Sequence, residues 1–438
     1  MVTNTLTKTN LTQRSYTMKE RVKIGYIGLG RRGSYVLENN ISQMEDVDII
    51  AICDLSERKM ELACEIITKA GKPEPIMTTD YREVIDNPEI DAIFIMTGWD
   101  GRPEMAMESM RAGKYTAIEV GCADNIQICY DLVKTYEETG VPVMMLENCC
   151  YGRRELMVLN LVKQGLLGEI VHCTGGYLHY LNEVELFKVI KEKDEENYPH
   201  YRLAHYRDEN RENYPTHELG PIAKVLNINR GNRFTSLASF GSKSVGLKAF
   251  AKRHFGEDSP HANCEYKQND IVTTMINCAG GETVSIVLDT TIPRAYYSRN
   301  FSVRGTLGMT DEARKVVFFE GMEEEIANNE EEMYKKYDHP IHREYIEKGV
   351  KEGHGGLDWL VCRAFIESVK AGINTPIDAY DTATWLAVGP LSEMSLANGN
   401  AVIEFPDFTN GKWENREPAP KCKYSLEEIV VDESISVV

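Results

Sequence analysis

The rhythm of hydrophobic and polar positions changes near residue 150. From Arg21 to about Leu146, short apolar runs alternate with amphipathic segments of helical spacing. The runs ending at Ile27, Val47 to Cys53, Ile90 to Met96, Tyr115 to Val120 and Val141 to Leu146 read as buried strands. Pro103 to Ala112 and Asn125 to Thr139 read as helices between them. Strands alternating with helices of this length predict a doubly wound parallel sheet of the Rossmann kind. Beyond residue 150 a helix, Arg153 to Gly165, is followed by strand-like runs at Ile170 to Tyr177, Phe234 to Gly246, Ile271 to Ala279, Thr283 to Thr291 and Phe301 to Gly305. Several alternate apolar with polar, as in an open, mostly antiparallel sheet with one wet face. The charged stretch Glu320 to Lys351 reads as a solvated face, and Asp358 to Ala371 as a helix returning to the first half. The expected α/β organisation is thus a flexible leader over 1–20, a Rossmann-type domain over 21–150, and a second α/β domain over 151–438 whose C-terminal segment returns to the first.

With 438 residues, 42% of them hydrophobic, the chain can bury two cores. Its net charge of −19 argues against nucleic acid or an anionic membrane as the main partner. The polar, Thr- and Asn-rich first twenty residues lack the apolar core of a secretory signal, and no stretch approaches a bilayer span. The 11 cysteines contain no C-x-x-C pair, which suits reduced thiols and a cytoplasmic protein.

The chemistry begins where the first strand ends, at Gly28-Leu29-Gly30-Arg31-Arg32-Gly33. In this G-x-G-x-x-G turn Gly28 permits the tight bend and Gly30 lets backbone approach a pyrophosphate. Gly33 lets helix and strand pack closely. The second strand ends at Asp54, 21 positions past Gly33, where a carboxylate grips ribose hydroxyls and repels a 2′-phosphate. NAD is the expected cofactor, with Arg31 and Arg32 the residues that would soften the preference against NADP. The rule that ligands bind at the carboxyl ends of parallel strands points to Asp54, Thr97-Gly98-Trp99-Asp100, Glu119 and Glu147-Asn148.

A second constellation is Tyr214-Pro215-Thr216-His217, which opens an apolar helical run. A Thr N-cap there places His217 in the first turn, where the helix end favours neutral imidazole, a base near pH 7. No His, Asp or Glu spacing along the chain matches a metal motif, so no metal is expected, and no G-x-S-x-G element supports serine hydrolysis.

These features, with Glu119-Val120-Gly121, resemble the glucose–fructose oxidoreductase and inositol dehydrogenase (Gfo/Idh/MocA) superfamily. More specifically, the chain resembles the NAD-dependent family 109 glycoside hydrolases, the α-N-acetylgalactosaminidases. The likeness rests on Met145 to Gly152, Gly168 to Cys173 with Gly176-Tyr177, Asn213 to His217 and Asn229-Arg230-Gly231. It extends to Asp289-Thr290-Thr291, Tyr297-Ser298-Arg299, Gly353 to Gly356 and Pro406 to Thr409. The wider dehydrogenase family carries a proton-transfer lysine where this chain has Val120, and an Asp where it has Asn213. Within the glycosidase pattern, Arg102 replaces a common His, 182–200 diverges, and Ala295-Tyr296-Tyr297 is one residue longer.

The resemblance implies a retaining exo-glycosidase running a redox-neutral cycle with tightly bound, recycled NAD. Hydride leaves sugar carbon 3, the acidified hydrogen on carbon 2 is removed, the glycosidic oxygen is eliminated, water adds, and the hydride returns. It also implies the site. Tyr214 and His217 would lie near carbons 2 and 3, with Tyr297 or Tyr296 as a proton-transfer or sugar-binding partner. Arg202 and Tyr177 would hold the sugar, and His354 in its glycine loop is a further catalytic candidate. Glu119, Val120, Asn148 and Tyr214 would face the nicotinamide end, and Trp99 to Arg102 the middle of the cofactor. The implied substrate is a small carbohydrate ending in an N-acetylhexosamine, and the C-terminal sheet is where copies of the chain would associate. A net sugar or inositol dehydrogenase and a non-catalytic dinucleotide-binding regulator are the rival readings.

Overall fold

The computed structural model describes residues 19–188, 190, 200–322, 326–349, 354–416 and 422–429, with only the backbone of His354. All but Lys19 and Glu20 of the expected leader therefore lie outside the described residues, as do parts of the divergent and charged stretches. Lys19 is fixed, its N–H donating to the Lys370 carbonyl at 3.0 Å.

The first half is a six-stranded parallel sheet built from β1 (Val22–Ile27), β2 (Val47–Cys53), β3 (Ile76–Thr78), β4 (Ala92–Ile95), β5 (Tyr115–Ile118) and β6 (Val143–Met145). The order is β3-β2-β1-β4-β5-β6. Helices on both faces bury the central strands, which explains their unbroken apolar runs: Ile24, Tyr26, Ala92, Ile93 and Phe94 are fully buried. The order reverses between β1 and β4, where Ile24 pairs with Ile49 on one side and Ala92 on the other. The switch-point rule puts the ligand crevice beyond the carboxyl ends of those two strands.

The second half is an eight-stranded sheet of β7 (Ile170–Leu178), β8 (Phe234–Gly241), β9 (Ile271–Cys278), β10 (Thr283–Asp289), β11 (Ser302–Gly305), β12 (Gly308–Asp311), β13 (Val316–Phe319) and β14 (Ile403–Glu404). Its order is β13-β12-β11-β7-β10-β9-β8-β14, antiparallel except for β7 beside β10. Along β9, Val272, Thr274, Ile276 and Cys278 are buried while Met275 is exposed, the alternation of a sheet covered on one face. The covering layer includes the helix Thr216–Val225, which lies close on β7 because Gly175 has no side chain: a Cβ there would come within 2.6 Å of Glu218 Cβ.

The helix Leu357–Ala371 does return to the first half. It packs on β1 and is tied there by Arg363 to Asp46 at 2.6 Å, Lys370 to Asp46 at 2.7 Å and Asp358 to Arg32 at 2.6 Å.

Three elements differ from the sequence expectation. The run Phe234 to Gly246 is a strand only to Gly241, because Asp270 accepts the N–H groups of Val245 and Gly246 at 2.8 and 2.9 Å and starts a helix, Gly246–Phe255. The charged stretch is partly built in: Glu330 and Asp338 are buried and paired with Arg154 and Arg153. The helix Ala379–Ala397 had no amphipathic signal because it is buried along nearly its whole length; an Asp378–Asp381 capping box begins it.

Candidate active site

The glycine turn has the shape its sequence requires. Gly28 has φ +97°, and a Cβ there would lie 2.7 Å from the Thr97 nitrogen; at Gly33 it would overlap the Gly28 carbonyl oxygen. Nothing lies within 4 Å of a Cβ at Gly30, so that face of the turn is open. The helix that follows, Arg31–Asn39, has no side-chain cap and no acid in its first turn. Its free N–H groups and positive end fit a pyrophosphate. Asp54 is half-buried beside the turn, and its two oxygens accept the N–H of Leu29 at 2.7 Å and of Ser56 at 3.0 Å. Each oxygen keeps a lone pair for a ribose hydroxyl.

The two arginines of the turn are engaged elsewhere. Arg31 donates to the Val184 carbonyl at 2.8 Å. Arg32 makes a bidentate pair with buried Asp358 at 2.8 and 2.6 Å and reaches Glu119 at 3.3 Å. Burial works against its charge, but the two carboxylates outweigh it and raise its pKa well above the usual value. Asn148 joins this clamp through Asp358 at 2.6 Å, so Arg32, Glu119, Asn148 and Asp358 form one network at the floor of the crevice.

Trp99 and Arg102 follow β4. Trp99 is buried against Tyr201, His205 and Tyr214, and its Nε1 has no hydrogen-bond partner. Arg102 differs from the cofactor contact expected of it. Its guanidinium is buried and donates to the carbonyls of Thr97 at 2.8 Å, Gly98 at 3.1 Å, Val120 at 2.8 Å, and Glu119. Four backbone acceptors leave almost no donor for a ligand, and the side chain staples the β4 loop to the β5 loop.

Across the crevice stands an aromatic cluster. Tyr177, at the end of β7, stacks on Tyr214 with ring centroids 4.3 Å apart and meets the edge of His217 at 5.6 Å. Tyr214 lies 5.0 Å from His217, and Arg202 sits 4.4 Å over the Tyr214 ring and 5.2 Å over Trp99. Tyr297 closes the rim, 6.3 Å from Tyr177 and 5.1 Å from His179, whereas Tyr296 turns outward under Arg294. Val120 is buried near this network's floor. The side chain of His354 lies outside the described residues; its backbone begins the turn His354–Gly356. Asn213 faces away, donating to Gln268 at 3.1 Å.

His217 is held by a residue that spacing did not reveal. Its Nδ1 lies 2.8 Å from Oε1 of Glu147, a fully buried carboxylate that also accepts the Cys149 N–H at 3.0 Å. Burial alone would raise the Glu147 pKa; the charge and hydrogen bond of His217 reverse that and hold it below the usual range. The anion orients the ring with a proton on Nδ1, so that in the neutral imidazole Nε2 is the acceptor. The helix begins one residue earlier than expected: Thr216 is its first residue, Pro215 takes the cap position without a side-chain cap, and His217 remains in the first turn.

Burial pushes the Tyr177 and Tyr214 pKa values well up, with Arg202 opposing it. Arg202 is itself paired with Glu185 at 3.3 Å. Beneath the cluster lie two further carboxyls, Glu212 and Glu218. Both are fully buried, and neither oxygen of Glu218 has a hydrogen-bond partner. Burial raises both pKa values, to about 8 for Glu212. Glu147, Cys149 and His217 lie close enough to share a metal. Yet Nδ1 already bonds Glu147, and burial keeps the Cys149 thiol protonated.

Comparison with known proteins finds two family matches along the chain. Residues 22–147 match the oxidoreductase family with an NAD-binding Rossmann fold, and residues 151–415 match the C-terminal domain of glycosyl hydrolase 109. An α-N-acetylgalactosaminidase of Tannerella forsythia is 37% identical over 415 residues, covering 91% of this chain and 88% of the relative. A glycosyl hydrolase family 109 protein of Stenotrophomonas maltophilia is 36% identical, covering 91% of each. Among solved structures, a levoglucosan dehydrogenase in complex with NADH and levoglucosan superposes with a TM-score of 0.63 at 17% identity, covering 88% of this chain and 100% of its own. At that identity the likeness speaks to fold alone.

Proposed function

The chain belongs to glycosyl hydrolase family 109, and from that premise we propose a retaining exo-α-N-acetylgalactosaminidase that holds NAD tightly and recycles it. One observation carries the reading. The open glycine cradle ends β1, the Tyr177–Tyr214–His217–Tyr297 cluster meets Trp99 beyond the neighbouring β4, and the residue that would be a dehydrogenase's lysine is the buried, aprotic Val120.

The helix start after Gly30 would hold the pyrophosphate and Asp54 the ribose, with Glu119, Asn148 and Trp99 lining the rest. When bound, NAD supplies reversible hydride acceptance at sugar carbon 3, which acidifies the hydrogen on carbon 2. The chain's own residues manage protons and position. Because burial favours neutral phenols, Tyr177 and Tyr214 act first as hydrogen-bond donors. His217, with Nδ1–H committed to Glu147, is the base of the cluster: Nε2 takes a proton from the sugar and the Glu147 anion stabilises the imidazolium. Arg202, over the Tyr214 ring, and Tyr297, edge-on to Tyr177, hold the sugar.

A panel of nitrophenyl glycosides tests the reading. Release from the α-N-acetylgalactosaminide, weakened by Tyr297→Phe and unchanged by Tyr296→Phe, is the expected result. No release from any N-acetylhexosaminide, with stoichiometric NADH formed from free sugars, would replace it with the dehydrogenase.

A further inference from the structure

Outside the sugar cluster, three chain segments bring metal-ligating groups together. Asp100 follows Trp99 in the β4 loop, Asp124 follows β5, and His205 lies on the helix Arg202–Asp208. Their ligand atoms all lie within 4.8 Å of one another. Both carboxylates are exposed, but His205 is 7% exposed, and its Nε2 is buried without a hydrogen-bond partner among the described residues. That nitrogen is 3.2 Å from Asp100 Oδ1, in a direction that makes no hydrogen bond. The separation is near the edge of a tetrahedron with bonds of about 2.1 Å, roughly 3.4 Å.

The other imidazole nitrogen is already committed. Nδ1 lies 3.0 Å from Glu209 Oε2, which would leave the Nε2 lone pair free within 4.8 Å of a ligand oxygen from each aspartate. A carboxylate behind a histidine is the usual outer partner of a metal-bound imidazole. Glu209 is in turn held by buried Arg211, whose Nη1 donates to the Ala123 carbonyl at 2.9 Å, next to Asp124. One network therefore orients the His205 ring and anchors the backbone beside Asp124.

We propose that His205 Nε2, Asp100 and Asp124 form a site for a zinc-like divalent cation, with water completing the coordination. One imidazole and two carboxylates suit Zn²⁺ or Co²⁺ better than Mg²⁺, which favours all-oxygen octahedra. The His205 ring packs 5.0 Å from Trp99, so a cation here joins the β4 and β5 loops to the second domain and fixes the wall beside the crevice. The site escapes a linear search because its ligands come from positions 100, 124 and 205. The competing arrangement is an imidazolium bridging Glu209 and Asp100 with no metal.

The test uses the full chain after EDTA treatment, titrated with Zn²⁺ and Co²⁺ and read by metal analysis, Co²⁺ absorption and melting temperature. The expected result is one equivalent per chain, a raised melting temperature, and binding at least about tenfold weaker in Asp100→Asn/Asp124→Asn. Both substitutions are on exposed residues, so the metal-free melting temperature should match wild type; His205→Gln should also lose the Co²⁺ spectrum. No stoichiometric binding by the wild type, or binding that survives Asp100→Asn/Asp124→Asn, overturns the proposal.

Discussion

Replacing Glu147 by Gln removes one charge and almost no volume from behind His217. The amide of Glu147→Gln still offers an oxygen to the Cys149 N–H and to Nδ1, so the ring keeps its place. What is lost is the anion that favours imidazolium as Nε2 takes a proton. A charge-assisted hydrogen bond in a site this buried contributes about 1.5–3 kcal/mol, and 1.4 kcal/mol is tenfold in rate, so kcat should fall about 10- to 100-fold. The new amide nitrogen falls where Glu147 Oε2 has no partner, which costs about 1–3 kcal/mol, partly offset by removal of the buried charge. The assay is nitrophenyl α-N-acetylgalactosaminide turnover with folding checked by denaturant titration. KM should change less than about threefold, because the interaction matters only as the proton moves. Glu147→Gln should add little to His217→Ala, since the carboxylate acts through the imidazole. A folded Glu147→Gln protein with unchanged kcat would refute this assignment.

Other changes separate cradle, clamp and buried acids. Gly30→Ala meets no atom within 4 Å and its φ of −65° suits alanine, so stability should hold within about 0.5 kcal/mol, while NAD binding, by fluorescence titration, weakens about tenfold or more. Arg32→Ala leaves the buried Asp358 without its bidentate partner and should cost about 3 kcal/mol in denaturant unfolding. Glu212 takes up a proton more readily when folded than at the ordinary 4.5, its pKa rising to about 8. Its stabilising effect is full below about 4.5 and is lost as pH rises to about 8, so Glu212→Gln should flatten the alkaline limb of a stability–pH curve.

The fold was legible where burial leaves a rhythm. Strands covered on both sides, such as Ala92–Ile95, gave unbroken apolar runs, and the half-covered Ile271–Cys278 gave alternation. Ala379–Ala397 gave neither, being buried all round, and β14, two residues long, is too short to carry a period. The glycine turn and the Tyr214–His217 corner were readable because local backbone geometry demands those residues. The pairings that set their chemistry were not: the strand-end rule pointed to Glu147, but 70 positions separate it from His217, and 326 separate Asp358 from Arg32. Tyr177 and His179 stood nearer to view, since positions two apart on a strand share a face, and their side chains lie 3.1 Å apart. Arg102 misled because an arginine after a parallel strand suits a phosphate equally well; only the four carbonyls around it settle its role.

The central claim is that a glycosidase turns over on NAD it does not consume. The protein should be stripped of dinucleotide, then supplied with one equivalent of NAD while nitrophenol release and reduced-nicotinamide absorbance are followed together. The account predicts no hydrolysis before addition, many turnovers afterwards, and no net accumulation of NADH. Hydrolysis undiminished in the stripped protein, or one NADH formed per sugar released, would contradict it.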